Sequence, residues 1–243
     1  MARARLAAMT GLLALVGALV AAAFAMRLRR QFRQRRRHHA LAWSVSFDLY
    51  AIGMVALAVG LLLGWSAQVY GAYWFTGALL NVPLLAVGEL HLLAPSRGRW
   101  WWALAGGATL WAIVAIAVSQ FDARALTMAS ADGGIPLGAD VLGGEPAYAA
   151  LQPLTLTGTV VVLAGTVWSA VRRRRPAVLL IALGVLVAAS SSAFVRSDLD
   201  ALVPVALTSG VAIMYAGFRA TGARRPGSGM SEPDHHPGDV PQR

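Results

Sequence analysis

Residues 27–63 read RLRRQFRQRRRHHALAWSVSFDLYAIGMVALAVGLLL, an arginine run that passes directly into an apolar run. The apolar part, Leu41 to Leu63, is long enough to cross a bilayer, which takes about 20 residues. Its apolar residues do not alternate with polar ones, as the strands of a membrane barrel would. Hydrocarbon offers no partner for backbone N–H and C=O groups, so a segment of this kind must bond to itself as a helix. The arginines beside it mark the membrane face that stays in the cytoplasm.

Working outward, six more blocks have the same character: residues 6–26, 70–93, 100–119, 154–171, 177–195 and 201–218. The expected fold is all-α, a polytopic membrane bundle of seven transmembrane helices over residues 1–219. Residues 120–152, polar and glycine-rich, read as an extracytoplasmic loop, and residues 220–243 as a disordered cytoplasmic tail. Composition agrees: 57% of the 243 residues are hydrophobic and 13% are charged, against about 25% charged in an ordinary soluble domain. The first block also has the look of a signal peptide, with Met1–Arg5 as a basic start and Ala21–Ala25 as a cleavage stretch. Arginine placement favours seven spans instead. With the N-terminus outside and the C-terminus cytoplasmic, the runs at 27–37, 97–99, 172–175 and 219–225, with Arg243, all stay inside, leaving Arg3, Arg5, Arg124 and Arg196 outside. The expected location is a bacterial plasma membrane, crossed several times. Trp43 and Trp100–Trp102 read as an inner aromatic belt, and Trp65, Tyr70, Tyr73 and Trp74 as an outer one.

Several chemistries are excluded. All 21 basic residues are arginine, so retinal has no lysine to bond, although seven spans is the retinal-protein count. There is no cysteine, hence no disulfide or thiolate ligand. His91 is the only histidine inside a block, which leaves no histidine-rich metal or haem site, and no phosphate loop or hydrolase elbow occurs. No cofactor, no metal and no catalytic residue is expected. His235 and His236 in the tail lack the defined shell a metal needs.

The candidate ligand or proton path consists of Asp48, Asn81, Glu89, Thr159 and Thr166. Asp48 would lie about 10 Å from the inner boundary at 1.5 Å per residue, where an ionised Asp costs about 2.5–3.5 kcal/mol. It must pair, protonate or face water, and a nearby arginine of the basic run would meet that need. Glu89 lies at similar depth and would share a proton with Asp48 if the two meet. His91, two residues on, points away from Glu89. Pro83 frees a backbone carbonyl near Leu79, next to the amide of Asn81. Thr155, Thr159, Thr166 and Ser169 fall within an arc of about 80° on one helix face. The blocks can also be read as three helices, an inverting fourth and three more, the plan of some sugar transporters, but Pro83 and Pro204 stand at different depths in the matching blocks.

The segment from Tyr70 to Gly88, YGAYWFTGALLNVPLLAVG, resembles a stretch in a family of seven-helix integral membrane proteins from actinobacteria, over residues 41–93. The family carries no assigned activity. The resemblance implies uncharged residues where Asp48 and Glu89 stand here, and a structural role for Asn81, Pro83 and Gly88. The functional expectation is a membrane module that binds a small ligand, a lipid or a partner; the alternative is a proton-coupled small-molecule transporter using Asp48 and Glu89. Arg29, Arg30, Arg33, Arg35, Arg36 and Arg37 are expected to hold anionic lipid headgroups, at roughly 1 kcal/mol per residue. The expected partner is the bilayer, with no nucleic acid; a membrane-protein partner or a second copy of the chain stays open.

Overall fold

The structure is a computed structural model that describes residues 2–173 and 176–223. The tail expected to be disordered, with His235 and His236, lies outside the described residues, as do Arg174 and Arg175. Among the described residues there is helix and no strand. Seven helices are long and apolar enough to cross a membrane. The first span is Ala2–Arg35 and the second His38–Leu63. The third is Ala67–Leu93, the fourth Pro95–Val118, the fifth Pro146–Arg172 and the sixth Leu179–Arg196. Leu202–Ala223 is the seventh.

Six of them close into a ring. In order of contact it runs first, second, third, fifth, sixth, seventh and back to the first. The fourth span stands outside, packed on the third and on the start of the fifth. Trp100, Leu104, Trp111 and Val114 of that outer helix are exposed, as an apolar surface facing lipid would be. The first three and the last three spans thus complete the ring, and the fourth connects them from outside. Ala14, Ala21, Phe24, Ala25 and Leu28 of the first span are buried in the ring. The stretch that resembled a cleavage site is thus a packing surface.

The two ends of the ring differ. The arginines of 27–37, with Arg97, Arg99, Arg172 and Arg219, gather at the end we call basic. The opposite end carries Asp122, Asp132, Asp140, Glu145, Asp198 and Asp200. There the expected loop of residues 120–152 is an ordered cap. Two helices, Ala123–Asp132 and Gly138–Leu142, lie over the ring, and the fifth span begins at Pro146 rather than near Leu154. Asp122 starts the first cap helix by accepting from the N–H groups of Arg124 at 2.8 Å and Ala125 at 3.0 Å.

The cap corrects the reading of the outer aromatic belt. Trp65 and Trp74 are 7% exposed and Tyr70 is fully buried, so these three rings face protein rather than lipid headgroups. They hold the cap instead. The Trp65 indole donates to Gly134 O at 2.9 Å, Trp74 to Ala147 O at 3.2 Å, and the Tyr70 hydroxyl to Pro136 O at 3.4 Å. A buried indole or phenol needs such a partner, and the turns of the cap supply free carbonyls.

The third span is irregular for a reason visible in its sequence. Pro83 has no N–H and breaks the helical ladder. The chain widens into a π-helix over Trp74–Leu80 before resuming as Asn81–Leu93. A second π-helix, Gln152–Leu156, contains Pro153 and packs against the first. Thr155 donates to Ala78 O at 2.7 Å, so the carbonyl that gains a partner is one residue from the Leu79 position expected. Ser46 Oγ lies 2.8 Å from Asn81 O and 2.7 Å from Asn81 Oδ1, which makes Asn81 a tie between the second and third spans.

Candidate functional site

At the basic end the six ring helices part around a cavity of about 170 Å³. Every ring helix contributes to its lining: Phe24 and Gln31 from the first, Trp43 and Phe47 from the second, Leu85 and Glu89 from the third. Thr166 and Ser169 come from the fifth, Ile181 from the sixth, and Phe218 and Thr221 from the seventh. Arg37 and His39 stand in its wall where the second span begins. Toward the middle of the bundle it is closed by aromatic packing. Phe24 lies 4.2 Å from Phe47 and 5.2 Å from Phe218 between ring centroids. Beyond that, Tyr50 of the second span donates to Leu207 O of the seventh at 2.8 Å, and Thr208 donates to Leu13 O of the first at 3.1 Å.

Glu89 is the carboxylate of this cavity. It is 4% exposed and four residues from the end of the third span, about 6 Å along the axis. Two glycines make its position. A Cβ on Gly165 of the fifth span would lie 2.4 Å from Glu89 Cγ, so the acidic side chain occupies the space that any other residue at 165 would fill. A Cβ on Gly88 would lie 2.1 Å from Trp43 Cδ1. The indole lies across that glycine and donates to Leu85 O at 3.0 Å. Gly88, which the resemblance marked as structural, thus seats one wall of the cavity.

The hydroxyls on the fifth span divide. Thr166 donates back to Val162 O and keeps its lone pairs for the cavity. Ser169 is 4% exposed, and its Oγ has no hydrogen-bond partner among the described residues. Gln31 Oε1 is likewise buried without one. Thr159 is half-buried and does not line the cavity, and Thr155, in the π-segment, is spent on Ala78 O. The expected stripe therefore splits: Thr155 falls in the π-segment, and Thr159 shares a face with Thr166 but lies about 10 Å from it along the axis.

Asp48 is elsewhere. Its Oδ1 accepts from the Arg29 guanidinium, and it is not among the residues lining the cavity. The structure therefore does not bring Asp48 and Glu89 to one site; it gives Asp48 the arginine partner that its depth called for. His91 turns away from Glu89. Its Nδ1 lies 2.9 Å from Val87 O, so that nitrogen carries the proton. The ring packs 5.9 Å from His38 and 5.0 Å from Trp102. Among the arginines expected at lipid headgroups, Arg29 is engaged with Asp48, Arg36 lies 5.9 Å over the Phe32 ring, and Arg37 belongs to the cavity wall. Gln31 and Gly165 had no signal of their own in the sequence; one polar residue in an arginine run and one glycine in an apolar helix acquire meaning only when the ring closes. No group of three or more metal-ligating side chains occurs among the described residues.

No family model, no curated protein and no solved structure matches this chain.

Proposed function

We propose that this chain is a multi-pass plasma-membrane protein whose business is to bind a small polar ligand in the cavity at its basic end. The observation that supports this most is the convergence of all six ring helices on one buried carboxylate, with an unpartnered hydroxyl beside it. Buried polar atoms without partners are uncommon, and a concave, largely apolar pocket with a few convergent polar groups is the usual form of a ligand site. The split of arginine to one end and carboxylates to the other supports a cytoplasmic basic end with the cap outside. Arg30, Arg33 and Arg35, exposed at that end, are then placed to meet anionic headgroups.

A second reading has one observation in its favour. The cavity opens at one end, while Tyr50, the aromatic floor and the cap close the other. That is the shape of one access state of a proton-coupled transporter, with Glu89 rather than Asp48 as the carboxylate in the path.

Purification in lipid nanodiscs, followed by mass spectrometry of the small-molecule extract, tests the first reading. The wild type should carry a compound that is lost in Gly165→Leu, whose side chain would displace Glu89. Identical extracts from the two proteins would remove the cavity from consideration as a ligand site. Flux in proteoliposomes, abolished by Glu89→Gln, would move the assignment to the transporter.

A further inference from the structure

A second recess lies at the basic end, where the third span turns into the fourth. It is an open cleft of about 490 Å³ whose lining includes His38, Ser96, Arg97, Gly98, Arg99 and Trp102. It shares no lining residue with the ring cavity, and none of the described residues that line it is acidic. The fourth span opens with a 3₁₀ turn, Pro95–Arg97, and continues as the α-helix Gly98–Val118. Within the turn the Arg97 N–H is taken by Ala94 O at 3.2 Å and the Gly98 N–H by Pro95 O. The N–H groups of Arg99 and Trp100 come next, in the first helical turn, where an α-helix has no acceptors of its own to offer. The N-cap side chain does not bond to them. Such a start attracts anions, and Arg97 and Arg99 add full positive charge.

His91 narrows the anion. It is 5% exposed, and its Nε2 has no hydrogen-bond partner among the described residues. A Cβ on Gly98 would lie 3.8 Å from both Nε2 and Cδ2 of that ring. The open edge of the ring therefore faces the first residue of the helix, across the space that glycine leaves empty. His38 and Trp102 of the cleft pack on the same ring and hold its aim. Because Nδ1 donates to Val87 O, the neutral ring presents Nε2 as an acceptor. A carboxylate, a sulfate or a phosphate diester has no hydrogen to give it near neutral pH. A phosphate monoester has one to share, since its second proton leaves at about pH 6.

We propose that the start of the fourth span binds a terminal phosphate group, held by the N–H groups of Arg99 and Trp100 and by the side chains of Arg97 and Arg99, with its P–OH directed across Gly98 to His91 Nε2. A lipid such as phosphatidic acid and a soluble phosphate present the same group. The site stands apart from the ring cavity and does not depend on it.

The test uses the full-length protein in phosphatidylcholine nanodiscs. Inorganic phosphate and glycerol 3-phosphate are the soluble probes, with sulfate as the anion of like shape that lacks the hydrogen. Further discs contain a minor share of phosphatidic acid, or of phosphatidylglycerol as the diester. Calorimetry reads the soluble probes, and native mass spectrometry reads retained lipid. One phosphate source should bind, and its control, sulfate or phosphatidylglycerol, should bind at least about tenfold more weakly, the scale of one charge-assisted contact. Binding of phosphatidic acid alone makes the occupant a lipid headgroup; binding of a soluble probe in plain discs makes it a free phosphate. Arg97→Gln should weaken either by about tenfold. Gly98→Ala puts a methyl at ordinary contact distance from His91 and favours the helix, so it should melt no lower than wild type yet bind about tenfold less. His91→Phe keeps the ring packing and should erase the preference over the control. A control that binds as tightly as its phosphate, a preference that survives His91→Phe, or no binding from either source overturns the site. The extract experiment with Gly165→Leu reads the other cavity, so the failure of one reading leaves the other in place.

Discussion

The capped end and the basic end of the ring are built from similar materials and finished differently. Both gather aromatic side chains at the ends of spans. At the capped end each indole meets a carbonyl of the cap, and Ser119, Ser130 and Asp122 accept from the backbone N–H groups of Ala147, Trp65 and Arg124. At the basic end Trp43 is matched in the same way, yet beside it Ser169 Oγ and Gln31 Oε1 face a cavity without partners among the described residues. A region whose polar atoms are satisfied is doing structural work. A region that keeps some of them open is held ready for something else, at a cost in stability. The comparison separates the two ends by chemistry, although both are equally rich in rings.

The largest expected effect comes from attacking the finished end. Trp65→Ala removes a buried ring packed 5.7 Å from Tyr70 and 5.6 Å from Tyr73, and leaves Gly134 O without its donor. Loss of a buried aromatic of this kind costs about 3–5 kcal/mol. Thermal or denaturant unfolding in nanodiscs should register that loss, and proteolysis should reach the cap helix Ala123–Asp132. Ligand binding at the other end should survive at temperatures where the variant is folded. Loss of binding in step with the cap would mean that the two ends are one cooperative unit.

A paired substitution sharpens the comparison at two serines that look alike in sequence. Ser46 is fully buried and bonded to Asn81, whereas Ser169 is 4% exposed and unbonded. Ser46→Ala should lower stability by about 1 kcal/mol, since it strands the Asn81 side chain between two helices. Ser169→Ala should leave stability unchanged or raise it by up to about 1 kcal/mol, because an unmet buried hydroxyl is removed. The same unfolding measurement serves both. A loss at Ser169 equal to that at Ser46 would show that its hydroxyl is structural.

How much of this was legible in the chain depends on which force decides it. Span number follows from hydropathy, a local property, and the seven blocks can be read directly. The Asp48 partner was also within reach: a carboxylate at that depth needs a cation, and the arginine run lies one helix away. The cap was not legible as structure. Its helices are short, and they are held by Trp65, Tyr70 and Trp74 from other parts of the chain, rings that hydropathy assigns to the lipid interface. The cavity was half legible. Glu89 and Thr166 announce themselves as polar residues in apolar helices, but Gly165 and Gln31 gain their roles from helices far away in sequence. The π-helix next to Pro83 shifts the register of the face above it, a change that a fixed 100° per residue does not anticipate.

The smallest expected effect concerns how the cap is tied to the turn before the seventh span. Ile135 N donates to Asp200 Oδ2 at 3.0 Å. Burial raises the Asp200 pKa above its ordinary value; the Ile135 N–H opposes this and the neighbouring Asp198 carboxylate adds to it. The folded chain therefore holds this proton more tightly than the unfolded chain does. Between the ordinary carboxylate value and the raised one, folding takes up protons, so stability rises as pH falls through that interval and declines as pH rises through it. Asp200→Asn keeps an acceptor for Ile135 and removes the titration. Melting curves of the two proteins between about pH 4 and pH 7 should differ in slope, with the wild type gaining more on acidification than the variant. Parallel profiles would mean that Asp200 is solvated like any surface carboxylate and that the cap's polar groups are less fully enclosed than the indole bonds suggest. Because the group is half-exposed, screening keeps the effect small, and it bears on the capped end alone: the same titration should leave ligand affinity at the basic end without a matching change.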